Sequence, residues 1–147
     1  MSRVIKSWAG IYDLISFFVY LIFKGAKRLH KDIIFMSQVV NGERIVDIGC
    51  GTGELLLEIA KIYGNIKAYG IDASSEMVDI AKEKAIAKGY CALNFELAGA
   101  EKLPYESEMF DCAFNIFLLH HLPMESKLKC LKEIHRVLKT GKSFLLV

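Results

Sequence analysis

From Arg44 to Val147 the chain alternates short, continuously apolar runs with stretches in which apolar residues recur every three or four positions. Arg44-Ile45-Val46-Asp47-Ile48 is the first run, and Leu55, Leu56, Ile59, Ala60 and Tyr63 follow it at helical spacing, with Gly64 as the closing cap. Residues 66–71 predict a second strand. Met77, Ile80, Ala81 and Ala85 then share one face of a helix capped by Ser74 or Ser75 and ended by Gly89. A third strand is expected over 93–97, and Leu103-Pro104 marks an extended loop because proline disfavours helix in the residue before it. A fourth strand is expected over 111–117. Pro123 opens a helix with the stripe Leu128, Leu131, Ile134, Val137 and Leu138, stopped at Gly141, and 144–147 is a fifth strand. Strands that are apolar throughout are covered on both faces, so the expected class is α/β, a doubly wound and mainly parallel sheet with helices on both sides. Ahead of it, residues 7–40 read as two helices broken near Gly25 and stopped at Asn41-Gly42. Two regions follow: an N-terminal helical lid or interaction segment, 1–42, and a sheet-forming domain, 43–147.

Composition sharpens this picture in three places. With 53% apolar and 24% charged residues the chain is globular rather than disordered. The 19 Lys and Arg nearly balance the 17 Asp and Glu, so no overall field recruits nucleic acid. Cys50, Cys91, Cys112 and Cys130 lack the spacing of a metal site and read as reduced thiols, which points to the cytoplasm and to no bound metal. The apolar stretch 11–23 contains Asp13 and is too short for a spanning helix, which needs about 20 apolar residues. With the basic residues Lys24, Lys27, Arg28 and Lys31 after it, 11–31 reads as a lid over an apolar acceptor, a peripheral membrane contact, or a helix buried against the sheet or a partner.

The chemistry concentrates where the first strand turns into the first helix of the domain. Gly49, Gly51 and Gly53 allow a tight turn and close approach of a ligand to free amides at the helix start. A dinucleotide fingerprint would need its third glycine at position 54, where this chain has Glu54. Asp72 ends the second strand, nineteen residues beyond Gly53, where a carboxylate accepts both hydroxyls of a ribose. Asp47 has two readings, orienting the turn or meeting the ammonium end of a ligand.

On these residues the chain resembles the class I S-adenosylmethionine (SAM)-dependent methyltransferases, in particular the group that includes the ubiquinone and menaquinone methyltransferases. The matching features are VDIGCGTG at 46–53, GIDASSEM at 70–77, AEKLPYESEMFD at 100–111, FLLHHL at 117–122 and EIHRVLKTGKSFLLV at 133–147. The resemblance implies a Rossmann-like fold, SAM as cofactor and S-adenosylhomocysteine as its product. It implies that Gly49, Cys50, Gly51 and Gly53 line the methionine part and Asp72 the ribose, with Ala73 and Met77 flanking the adenine. Ala100 and Glu101 would approach the adenine edge, Asn115 the methionine end, and Tyr12 would close over the cofactor.

Two departures stand out. Gly99 occupies a position where the family commonly carries an Asp that accepts from the adenine amino group, a loss of about 0.5 to 1.5 kcal/mol. The family's sheet also continues beyond a fifth strand, so the chain reads as truncated there, with an exposed edge that favours a homodimer. His120 and His121 follow the fourth strand and are the candidate catalytic residues; a general base and a packing role in the loop are both open. The expected function is methyl transfer to a small, apolar, quinone-like or lipid-like acceptor. The alternative is a SAM-binding module without turnover, and a nicotinamide-dependent oxidoreductase is disfavoured by Glu54.

Overall fold

The computed structural model describes residues 25–147. The chain divides into two compact units, with the boundary between Ile33 and Ile34. Helix α1, Ala26–Ser37, begins directly after Gly25 and crosses that boundary. The other described elements lie in the second unit. They are β1 (Arg44–Ile48), α2 (Glu54–Ile62), β2 (Lys67–Asp72), α3 (Ser75–Ala87), β3 (Leu93–Leu97), β4 (Phe110–Asn115), a 3₁₀ turn (Leu119–His121), α4 (Met124–Val137) and β5 (Leu138–Leu146). Every strand pair is parallel, in the order β3-β2-β1-β4-β5.

This order follows from the connections. The chain steps outward from β1 through β2 to β3, returns to the other side of β1 as β4, and steps outward again to β5. Right-handed crossovers then put α2 and α3 on one face of the sheet and α4 on the other. β1 is the switch point, and a crevice opens at the carboxyl ends of the strands beside it. The α4 side is packed by Val46, Ile48, Ile71, Phe110, Ala113, Cys130, Ile134 and Val137. Tyr69, Tyr105 and Phe110 add edge-to-face ring contacts there, with centroids 5.0 to 5.6 Å apart. On the α3 side a Cβ at Gly70 would lie 2.7 Å from the Phe95 ring and 2.9 Å from Cys50 Sγ, so the absence of a side chain is what admits both groups.

From residue 44 onward the expected elements are present, with local corrections, whereas the first of the two helices expected over 7–40 and most of the 1–42 segment lie outside the described residues. α2 ends at Tyr63 in an extended conformation, and Gly64 is not in the left-handed region: the Tyr63 N–H reaches the Ile59 carbonyl and closes the helix before the glycine. Gly89 does end α3, at φ 70°, and Ser74 is the N-cap, accepting from the Met77 N–H. The buried face of α3 is Val78, Ala81 and Ala85, leaving Met77 at the surface. On α4 the buried positions are Cys130, Ile134 and Val137, spaced i, i+4, i+7; Leu128 and Leu131 point away from that stripe and are exposed. β4 stops at Asn115, because Phe117 turns to φ 59° and its N–H pairs with the Val147 carbonyl. Helix α4 passes into β5 at Leu138, ahead of Gly141. Leu138 pairs with Phe110, pairing resumes at Ser143 opposite Cys112, and Gly141 at φ 75° serves the bulge between them rather than a helix end.

Candidate functional site

The glycine turn is built by backbone bonds that leave room above it. The N–H groups of Gly49 and Cys50 both donate to the Ile71 carbonyl at 2.9 Å, tying the turn to the end of β2. Gly49 sits at φ 83°, and a Cβ there would lie 2.9 Å from Leu118 Cδ2, so both conformation and space require glycine. Gly53, at φ 79°, caps α2 without a side-chain bond, leaving the first-turn amides of the helix to other partners. From α3, Lys84 reaches across to Thr52 Oγ1 at 3.0 Å and pairs with Glu54, bracing the outer side of the turn.

Beneath the turn, Asp47 is 3% exposed and its Oδ1 has no hydrogen-bond partner among the described residues. Burial, reinforced by the Asp72 carboxylate, pushes its pKa up to about 7. The Cys50 thiol is pushed up as well, by burial and then by the Asp47 and Asp72 charges, which makes it a packing group rather than a nucleophile.

A cleft of about 420 Å³ opens at the carboxyl ends of β1 to β4. It is lined by Gly49 after β1, by Ile71, Asp72 and Ala73 at the end of β2, by the segment 98–102 after β3, and by Leu118 and Leu122, which supply apolar surface from the β4 side. Asp72 Oδ2 accepts from the Gly51 N–H and Oδ1 from the Ser74 N–H, each at 2.9 Å. Each carboxylate oxygen has two lone-pair sites, so one per oxygen remains for a ligand. Asp72 therefore orders the turn and the start of α3 while still facing the cleft.

Of the residues singled out in the sequence, Gly49, Asp72, Ala73, Gly99, Ala100 and Glu101 line this cleft. Asp47, Cys50, Gly51 and Gly53 belong to the adjoining turn, and Met77 stands half a turn into α3, partly exposed. Asn115 is fully buried, its Oδ1 accepting from the Leu119 N–H at 3.3 Å and its Nδ2 facing Cys130 Sγ at 3.9 Å; it organises the chain beyond β4 and does not line the cleft. His120 and His121 are exposed, with ring centroids 3.9 Å apart, on the 3₁₀ turn between the lining residues Leu118 and Leu122. Tyr12 lies outside the described residues. Ile71, Ala98, Lys102, Leu118 and Leu122 line the cleft without having been singled out. Their common signal is position, since all of them lie at or beyond the carboxyl ends of β2, β3 and β4, the side on which parallel sheets bind ligands.

Residues 45–141 match the family model described as "Methyltransferase domain". The chain belongs to the methyltransferase domain family. Among curated relatives, the ubiquinone/menaquinone biosynthesis C-methyltransferase of Geotalea daltonii is 37% identical over 67% of this chain and 42% of its own length. The demethylmenaquinone methyltransferase of Geobacillus stearothermophilus is 29% identical over 96% of this chain and 59% of its own. The chain thus spans about half the length of the curated relatives it matches. Among solved structures, a SAM-dependent methyltransferase from Aquifex aeolicus superposes with a TM-score of 0.72 at 28% identity, covering 80% of this chain and 62% of that one. The [4+2]-cyclase SpnF gives 0.77 at 32% identity, covering 84% of this chain and 44% of that one.

SAM is the cofactor of this family, and the donor set here fits it. A buried carboxylate oxygen at Asp47, unpartnered among the described residues, suits a cationic group, a Cβ at Gly51 would meet nothing within 4 Å, and Asp72 retains acceptor capacity beside a cleft of nucleoside size.

Proposed function

We propose that this chain binds SAM in the cleft at the carboxyl ends of β1 to β4 and transfers its methyl group to a small, apolar, quinone-like acceptor. The observation that carries the reading is the cleft itself, which Asp72 lines together with Gly49 and the segment 98–102 while bonding the glycine turn. In this reading Asp72 accepts from the ribose hydroxyls, and Asp47 faces the ammonium group through the turn formed by Gly49, Cys50, Gly51 and Gly53. Ala73, Met77, Ala100 and Glu101 flank the adenine. Gly99 offers only its backbone where a carboxylate would have accepted from the adenine amino group. SAM supplies an activated methyl on a positively charged sulfur, so the protein's part is alignment and exclusion of water.

The acceptor class rests on two supports. Relatives carry the names of ubiquinone and menaquinone methyltransferases, and Leu118 and Leu122 give the cleft an apolar side. Attack from a ring carbon is favoured when a neighbouring hydroxyl is ionised. His120 or His121, beside that apolar side, is the base that would take the proton. Contact of residues 11–31 with a bilayer and pairing of two chains complete the reading; co-sedimentation with liposomes and light scattering test them.

Calorimetric titration with S-adenosylhomocysteine and with NADH tests the cofactor. Saturable binding of the first alone is expected, weakened about tenfold or more in Asp72→Ala, the scale of one lost charge-assisted hydrogen bond. Binding that Asp72→Ala leaves untouched would remove the cleft as its site.

A further inference from the structure

The connection from β3 to β4 has no helix of its own, and its two halves differ. Residues 98–102 wall the cleft, whereas Leu103 and Tyr105 are buried in the core. An irregular segment holds a ligand-binding shape only as firmly as its ends are anchored. At the upstream end the Ala98 N–H donates to the Asp72 carbonyl at 3.0 Å, and within the segment Lys102 N–H donates to the Gly99 carbonyl at 3.3 Å.

The downstream anchor comes from α4. Glu133 Oε2 accepts from the Leu103 N–H at 2.7 Å, while Arg136 donates to the Leu103 carbonyl at 3.2 Å and to the Tyr105 carbonyl at 2.7 Å. The two side chains also grip each other through a two-pronged pair, Nε to Oε1 and Nη2 to Oε2, both 2.7 Å. Both polar groups of Leu103 are thus held, one residue beyond the cleft wall. Arg136 holds the Glu133 carboxyl below its usual range despite burial, with the Leu103 N–H contributing, so the pair stays charged. Neither side chain lines the cleft.

We propose that Glu133 and Arg136 are positioning residues for the adenine end of the cofactor, acting by fixing the 98–102 wall from α4. The proposal rests on the reading that SAM occupies this cleft. A lysine at 136 keeps the charge but lacks the planar fork needed to hold Glu133 and two carbonyls at once.

The test is titration of the full chain, Arg136→Lys, Glu133→Gln and Lys142→Ala with two ligands. They are S-adenosylhomocysteine and 5′-methylthioadenosine, which lacks the amino-acid end. Arg136→Lys and Glu133→Gln are expected to weaken both ligands by the same factor, about tenfold, because misplacement of a wall acts on the shared adenosine. Lys142→Ala breaks ion pairs with Glu43 and Asp111 at the opposite end of the sheet, so it lowers stability and leaves both constants at the wild-type value. Wild-type affinity in the clamp variants, or a loss confined to S-adenosylhomocysteine, overturns the proposal. Should Arg136→Lys fail to fold, Glu133→Gln carries the same test. A folded wild-type chain that binds neither ligand overturns the cofactor reading and this proposal with it, whereas wild-type binding matched by both clamp variants overturns this proposal alone.

Discussion

Asp47 sits where a carboxylate is costly: buried, beside a second carboxylate, with one oxygen unpartnered among the described residues. Its pKa of about 7 lies above the ordinary 3.8. Between those values the folded chain holds a proton that the unfolded chain has released. Stability therefore falls as pH rises through this window and levels off above it. The full penalty is on the order of 4 kcal/mol at about 1.4 kcal/mol per pKa unit. Asp47→Asn removes it. In urea unfolding of the free chain, the stability of the variant relative to wild type should climb from pH 4 to 7 and then stay flat; a pH-independent difference would mean the carboxyl is not perturbed. A bound ammonium reverses the balance by favouring ionised Asp47, so S-adenosylhomocysteine should bind more tightly as pH rises toward 7. At this scale the sequence marks Asp72 and the glycines by spacing, since strand, turn and acid recur at fixed distances. The unpartnered oxygen of Asp47 is not legible, because it depends on which neighbours fail to reach it. Nor is the fate of Asn115, whose amide is taken up by Leu119 and Cys130.

Among the elements, β5 shows what periodicity omits. The stripe on α4 and the glycine at 141 predict a helix running to that glycine, but a tertiary network draws the chain into the sheet at Leu138. Asp111, at the start of β4, accepts from the Arg44 N–H at 3.0 Å and from Lys139 at 2.9 Å, while Lys142 reaches both Asp111 and Glu43. The bulge places both lysines over one carboxylate, joining β1, β4 and β5 at their amino ends. Burial raises the Asp111 pKa, but the Arg44 N–H and the two ammonium groups outweigh it and hold the carboxyl below its usual value. A depressed folded-state pKa gives stability that is present above the unfolded value and is lost as pH falls through the folded one. Asp111→Asn should thus cost about 1 kcal/mol near neutrality and nothing once both forms are protonated, in acid. Unfolding curves at pH 7 and pH 3 check this; an equal loss at both would assign the effect to packing.

For the whole molecule, the decisive feature is that the cleft draws residues from the carboxyl ends of four strands, from Gly49 to Leu122. A ligand seated there joins segments on both sides of the switch point, so its binding energy is withheld from any state in which the sheet has come apart. At a hundredfold excess over its dissociation constant such a ligand stabilises the folded chain by about 2.7 kcal/mol. For a chain of this size that is about 5 to 10 °C in melting temperature. S-Adenosylhomocysteine should produce that rise in wild type and a smaller one in Asp72→Ala at the same concentration, and NADH should produce none. Equal rises in the two proteins would place the ligand elsewhere, because Asp72 ties the turn after β1 to the start of α3 and any occupant of the cleft must meet it. A rise with NADH would favour the dinucleotide reading that Glu54 argues against. That the sheet is parallel with helices on both faces was legible because apolar runs alternating with helices admit few arrangements. The resemblance named Gly99, Ala100 and Glu101 in the 98–102 wall, but the shape of that wall was not legible, since it is a helix-free loop held thirty residues later in the chain, by Glu133 bonding Leu103.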